Sequence, residues 1–533
     1  MNSPTRKGIT MSRTRNALFA GAAVLCLAAA GCTDTVVAPK STIAETNAFN
    51  DPATYRAFIA KVYAGLAVSG QQGAAGQPDI QGIDEGFSQY LRLFWEAQEL
   101  PTDAAVIGWG DVGLPELNTQ MWAASNSFVV AMYYRIFFQV GMANQFLRET
   151  SDAKLSERGV TPALRTQIQQ YRAEARFLRA LSYWHGMDFF GNIPLVTDAD
   201  PLGSTPPQQS TRQEIYDYIV SELTAIKAEL PAHSPSVYGR ATRGAAAMLL
   251  AKVYLNAQVY TGTPRYSEAL TQVQEVIAGG YTLDPNYRRM FMADNHNSPE
   301  IIFAVTQDGL RTQTWGGMTF IVHASVGGNM NANNYGIDGG WWGLRLKPQA
   351  YNVFDAADQR RSYFFTDGQS VAVNSIGDWF AGIAAPKFTN KTSTGASGSN
   401  ATHVDTDFPM FRLGDAYLMY AEAVLRNGGG TRAQALAYVN ALRQRAYGGT
   451  AGNITDAQLT LDFILAERQR ELLWEAHRRT DLVRFGLFTG GTYIWAWKGG
   501  VQAGTATETY RNLYPLPENE LVANPNLTQN PGY

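Results

Sequence analysis

Three glutamates recur every four residues near the C-terminal end of the chain: Glu467, Glu471 and Glu475. That spacing places side chains on one helical face, and a pair of carboxylates astride a glycosidic bond is the machinery of sugar hydrolysis. The neighbouring residues argue against that chemistry. Arg470 follows Glu467 by three residues, Arg479 follows Glu475 by four, and Glu422 and Arg426 are again four apart. A guanidinium within one turn holds a carboxylate ionised and lowers its pKa. That suits a structural ion pair and makes a poor general acid. With Leu472, Trp474, Tyr417 and Tyr420 around them, these charges read as a partly buried network that fixes helix register.

Other reaction chemistries lack their groups. His185, His233, His296, His323, His403 and His477 are scattered and form no metal-ligand motif. There is no glycine-rich phosphate loop followed by Lys and Ser/Thr, and no nucleophile elbow. No enzyme activity, metal or cofactor is expected.

The residues best placed to hold a ligand are aromatic. Aromatics make up 12% of the chain, with 11 Trp and 26 Tyr, against only 17% charged residues. An exposed Trp or Tyr presents a large rigid face with a polar tip, suited to interfaces and flat apolar ligands. Two loop regions concentrate them. One runs Glu99-Leu100-Pro101-Thr102-Asp103 and continues to Trp109-Gly110-Asp111. The other, 311–345, holds Arg311, Trp315, Asn329, Asn333, Asn334, Tyr335, Asp338, Trp341, Trp342 and Arg345. The candidate contacts are Asp103, Trp109, Asp111, Arg311, Trp315, Tyr335, Asp338 and Trp341. Trp342 leads back into a helix and is expected in the core.

The cysteines give the compartment. Arg6, Lys7, Arg13 and Arg15 precede a short apolar run, Ala17 to Ala30. This is a signal peptide rather than a membrane span. The cut falls at Ala28-Ala29-Ala30-Gly31-Cys32, which resembles the lipobox of bacterial lipoproteins, with Ala29 where Leu is commonest. Cys26 leaves with the signal, and Cys32 becomes the lipidated first residue; the alternative is ordinary secretion with a free Cys32. No thiol remains for a disulfide or zinc site. The four basic residues of the signal also leave, so the mature chain carries 39 basic against 46 acidic residues, net −7. That argues against nucleic acid as a partner.

The elements that must position these loops are helices. Residues 1–31 are read as signal, 32–50 as tether and 51–533 as one domain. Asp51-Pro52 opens a helix to about Val68, and a helical piece lies near Gln89–Glu99. Longer helices follow at about 120–149 and 163–190, the latter carrying an apolar stripe of Ala173, Phe177, Ala180, Leu181 and Trp184. Helices at about 211–229, 241–260 and 265–279 have Ala-rich faces: Ala245, Ala246, Ala247, Ala251 and Ala257. Successive hairpins of this kind suggest a tetratricopeptide-like solenoid. A Gly-, Asn- and aromatic-rich insertion spans about 281–405, with strand-like runs at Ile301–Val305 and Thr319–His323. A stretch this long with little regular structure is usually functional. Helices resume at 411–427, 431–447 and 456–478, the last with a Thr455/Gln458 capping box. The tail, 487–533, reads as loop with short strand pieces.

Five segments together resemble the SusD/RagB family of outer-membrane nutrient-binding lipoproteins. They are Ala173-Glu174-Ala175-Arg176-Phe177-Leu178-Arg179-Ala180 with Phe190-Gly191-Asn192-Ile193-Pro194, then Ala241-Thr242-Arg243-Gly244-Ala245-Ala246. Phe408-Pro409-Met410-Phe411-Arg412-Leu413-Gly414-Asp415-Ala416-Tyr417 follows, then Glu467-Arg468-Gln469-Arg470-Glu471-Leu472 with Asp481-Leu482-Val483-Arg484-Phe485-Gly486. The last is the ending Leu513-Tyr514-Pro515-Leu516-Pro517 with Asn524-Pro525-Asn526 and Asn530-Pro531-Gly532-Tyr533. The resemblance implies a mainly α, SusD-like superhelix. It also implies a glycan ligand, a lipid anchor in the outer membrane facing outward, and partnership with a TonB-dependent transporter of the SusC/RagA type. Peptide binding within the same family and a helical-repeat protein adaptor are the alternatives.

Overall fold

The computed structural model describes residues 48–49, 51–74, 76–201, 203 and 205–533. The signal peptide, Cys32 and nearly all of the 32–50 tether lie outside the described residues. Of the N-terminal unit, residues 1–54, the described part opens the first helix: the Asp51 carboxylate accepts from the Ala53 amide at 2.8 Å. Residues 55–533 form the second compact unit. Among the described residues no helix is long and apolar enough to cross a membrane.

The longer helices, in chain order, are α1 (Pro52–Ala67), α2 (Tyr90–Glu99), α3 (Ser127–Glu149), α4 (Pro162–Phe190) and α5 (Arg212–Ile226). They continue with α6 (Arg243–Leu255), α7 (Tyr266–Ile277), α8 (Gly317–Ala324), α9 (Leu413–Leu425), α10 (Arg432–Tyr447), α11 (Leu461–Leu472) and α12 (Arg478–Arg484). The body is helix on helix: α3 packs on α4, α4 on α5, α6 on α7, α7 on α9 and α9 on α10. The boundaries follow the caps. Thr161 caps α4 with Pro162 in its first turn, and Thr211 and Glu214 form a complete capping box on α5. The α4 stripe of Ala173, Phe177, Ala180, Leu181 and Trp184 is buried, as are all five alanines of the small-residue faces. Gly191, at φ +72°, ends α4 where any side chain would meet Leu513. The tail then binds back on this end: Tyr514 donates its backbone N–H to Phe189, and the Asn530 amide donates to Phe190 and Tyr514 carbonyls.

Among the described residues the strands of three residues or more are β1 (Ala105–Ile107), β2 (Ile301–Val305), β3 (Leu344–Leu346) and β4 (Phe408–Arg412). β1 pairs antiparallel with β3, and β2 with β4. Ile301–Val305 is a strand as expected, but Thr319–His323 is helix α8. A five-residue apolar run satisfies either period, and here Gly316 and Gly317 start the helical turn, with the Phe320 N–H donating to the Gly316 carbonyl at 3.2 Å. The Thr455/Gln458 capping box forms on a short 3₁₀ turn, while Thr460 caps α11. The tail holds 3₁₀ turns, a short helix (Glu518–Ala523) and one isolated bridge between Gly490 and Thr507 in place of strands.

The charge network is buried, not partly exposed. Arg412 reaches Glu300 at 2.8 Å, Glu471 at 2.7 Å and Glu475 at 2.6 Å, and Arg360 reaches Glu467 and Glu471, both at 2.8 Å. Burial alone would raise the Glu467 carboxyl, but Arg360, Arg470 and Arg443 outweigh it and hold it at about 2. Glu471 is pushed down in the same way by Arg445, Arg412 and Arg360. Of the helical pairs, Glu467–Arg470 and Glu422–Arg426 form, both at 2.8 Å. Glu475–Arg479 does not: Trp474 and Ala476 both take positive φ, near +60°, so the helix has already ended. Glu475 turns to Arg412 and Lys387, and Arg479 pairs with Asp188 at 2.8 Å.

Candidate functional site

The β1–β3 ribbon brings two distant tryptophans together. Trp109 lies two residues after β1, and Trp341 three residues before β3. The Gly108 N–H donates to Gly343 O at 3.1 Å, extending the ribbon, and the Asn118 side chain bonds both the N–H and C=O of Ile107. The Trp109 indole N–H donates to the Trp341 carbonyl at 3.1 Å. Gly343 is required beneath it, since a side chain there would stand 2.8 Å from the Trp109 ring. The Trp341 ring stacks on His323, centroids 4.6 Å apart at 23°.

Trp315 completes the cluster from the turn before α8. Its backbone N–H donates to Glu85 at 3.1 Å, and Gly86 and Gly316 allow that turn to lie against the start of α2. The three indoles form a run, with Trp109 6.3 Å from Trp341 and Trp341 6.2 Å from Trp315. They line an open depression of about 580 Å³ whose other wall is made by Ala74 and the 76–86 loop, with Gln77, Asp84 and Glu85. Trp315 keeps 41% of its surface in water.

Arg92, on α2, lines the same depression. Its guanidinium lies 4.2 Å from the Phe320 ring and 5.7 Å from Trp109, and its Nε donates to Glu96 at 2.9 Å. Its terminal nitrogens make no hydrogen bond among the described residues, leaving them for a ligand oxygen. Burial pushes Glu96 up to about 7 against the pull of Arg92, and Asp111 adds to the rise. Asp84 and Glu85 are held by the loop itself: Asp84 accepts from the Gly86 and Phe87 amides, and Glu85 from Trp315. Both are acceptors for hydroxyls rather than a free acid–base pair. Among the described residues no cluster of three His, Cys, Asp or Glu could hold a metal ion.

The expected contact residues divide. Trp109, Trp315 and Trp341 converge. Asp111 is exposed just beyond Trp109. Asp338 is exposed and accepts from the Thr402 hydroxyl, its charge reaching His323 under Trp341 and His403 beside Trp315. Arg311 is exposed at a turn tip, paired with Asp308 at 2.8 Å. Tyr335 stands apart, half-buried and within the field of Arg288. Asp103 is corrected. It is fully buried, its oxygens forked by Arg478 at 2.7 Å and bonded by Tyr493 at 2.6 Å. Burial would raise its carboxyl, but Arg478 and Tyr493 hold it below the usual range. Arg345 is buried on backbone carbonyls of Gly343, Ile376 and Ala381. Trp342 is not core: it is 50% exposed at φ +56°, a backbone cost of about 1–2 kcal/mol for a residue with a Cβ.

Comparison with known proteins agrees with this architecture. The model of the SusD family matches residues 352–533, and that described as "starch-binding associating with outer membrane" matches 102–255. Over 540 residues the chain is 34% identical to starch-binding protein SusD of Bacteroides thetaiotaomicron, covering 91% of this chain and 94% of that one. The chain belongs to the SusD family. Its fold is shared with surface glycan-binding protein A from Bacteroides fluxus, at TM-score 0.69 and 23% identity over 90% of this chain and 99% of that one. Surface glycan-binding protein A from Bacteroides thetaiotaomicron, in complex with laminarihexaose, aligns at TM-score 0.68 and 21% identity over the same shares. This chain thus carries an aromatic depression built from four loop segments and the face of α2. Nothing in the sequence marks Arg92, because every residue of α2 is buried, Arg92 included at 6% exposed.

Proposed function

We propose that this protein binds glycan chains at the cell surface on the Trp109–Trp341–Trp315 run and delivers them to a TonB-dependent outer-membrane transporter. The observation that carries the reading is the convergence of three indoles, Trp109 lying more than 200 residues before Trp315 and Trp341 in sequence, on one open polar-rimmed depression. A pyranose ring has a face of C–H groups that lies on an indole, while Arg92, Asp84, Asp111 and Asp338 are placed for its hydroxyls. An open depression retains water around the ligand, so binding is weak, with Kd between about 1 μM and 1 mM, or about −8 to −4 kcal/mol. The role is capture without bond cleavage, since the carboxylates present serve loops and ion pairs. The relatives' named ligands, starch and laminarihexaose, make α- and β-glucans the first probes.

The lipid on Cys32 and the 32–50 tether would hold the body at the outer membrane, beside a SusC/RagA-like transporter. The test is a binding screen of residues 33–533 against α-glucans, β-glucans, other plant and host glycans, and peptides. Saturable binding to a glycan is expected; binding confined to peptides would overturn the ligand class.

A further inference from the structure

Trp342 belongs to a second aromatic surface. Its ring lies 6.2 Å from that of Trp379, and the Phe380 ring stands beside them. Gly327 and Gly328 form the floor. A side chain on Gly327 would come within 2.7 Å of the Trp342 ring, and one on Gly328 would meet Trp379 at 2.7 Å and Phe380 at 3.3 Å. Trp342 is 50% and Phe380 41% exposed, while Trp379 beneath them is 5% exposed. Asn329, also exposed, stands at the edge. Trp342 takes a left-handed backbone that favours glycine, and does so to present an indole to water.

We infer that Trp342 and Phe380 form a second glycan platform, engaged by longer chains already held on the first cluster; this rests on the glycan reading above. Two observations select a sugar over a protein partner. Half of one indole and two-fifths of one phenyl offer roughly 200 Å² of apolar surface, taking about 150–250 Å² per ring. A stable protein interface needs about 800 Å² on each side. That area suits stacked sugar rings, with the Asn329 amide for their hydroxyls. Trp341 and Trp342 are also consecutive, yet Trp341 packs with Trp109, Trp315 and His323 while Trp342 packs with Trp379. One backbone segment therefore serves both surfaces, and a single polysaccharide can meet them in turn.

The test uses Trp342→Gly with Phe380→Ser, because glycine at 342 suits the left-handed backbone and the fold is checked by circular dichroism. A second variant, Phe380→Ser alone, leaves Trp342 in place. Binding of soluble starch and laminarin is compared with that of maltotriose and laminaritriose by calorimetry. The double variant is expected to lose about tenfold in polysaccharide affinity with trisaccharide binding unchanged, and the single variant to lose less. Polysaccharide affinity within twofold of the parent overturns the inference, as does loss of transporter co-purification with glycan binding intact, which would make the patch a protein contact. If binding survives Trp109→Ala, Trp315→Ala and Trp341→Ala together but falls in the platform variant, the primary site is wrong, and Trp342 and Phe380 are the glycan surface without the first cluster, which overturns their role as a second platform. A parent that binds neither polysaccharide overturns both.

Discussion

Trp109 and Trp341 hold one another in place: the Trp109 indole N–H donates to the Trp341 carbonyl at 3.1 Å, and the rings stand 6.3 Å apart at 45°. Their effects on glycan binding should therefore be coupled. Trp109→Ala and Trp341→Ala are each expected to weaken binding about tenfold, about 1.4 kcal/mol. The double variant should lose less than the sum, by at least about 0.5 kcal/mol. Calorimetry on the four proteins measures this, and strict additivity would mean the two rings act independently.

Glu96 beneath Arg92 makes part of the stability pH-dependent. Burial raises its carboxyl from the ordinary 4.5 to about 7. Between those values the unfolded chain releases the proton and the folded chain keeps it. Stability from this group is therefore greatest below about 4.5, falls as pH rises to about 7, and is level above that. That difference corresponds to about 3 kcal/mol. Glu96→Gln should abolish this component, so the stability difference between parent and variant should shrink or reverse from pH 5 to 7 in urea denaturation. A constant difference would show that Glu96 does not titrate in that window.

Asp103 serves the scaffold through Arg478. Asp103→Ala strands a buried guanidinium and should cost about 3–5 kcal/mol in denaturant unfolding, with glycan affinity in the remaining folded protein within twofold of the parent. A fold-neutral variant that loses glycan binding would return Asp103 to the ligand surface.

With residues 1–31 removed as a signal, as proposed, Cys32 would be the sole thiol left. Cys32→Ala should abolish incorporation of labelled palmitate and release the protein from membranes. Labelling that persists in the variant would place the lipid elsewhere.

What the sequence made legible follows from the range of the interactions. Helices with strong periodicity and caps, such as α4 and α5, were read nearly to their ends because their signals are local. The three tryptophans stood out because bulky aromatics in Gly- and Asn-rich loops have little core to join. Their convergence was not legible, since it depends on pairing residues 105–107 with 344–346. Arg92 and the 76–86 wall were hidden for the same reason: nothing local marks a helical arginine as facing a depression. Glu475 and Arg479 misled because their spacing implies a helix that two left-handed residues, Trp474 and Ala476, interrupt. Trp342 misled in the opposite sense, as a large apolar residue at the edge of a strand that the fold turns outward.

The Trp109–Trp341–Trp315 run is proposed as the glycan-binding surface. The most direct measurement is isothermal calorimetry of residues 33–533, parent against the Trp109→Ala, Trp315→Ala, Trp341→Ala triple variant, with the glycan that binds best in the screen and circular dichroism as the check on folding. The account predicts no detectable binding by a folded triple variant. Binding by that folded variant at the parent's affinity would contradict it.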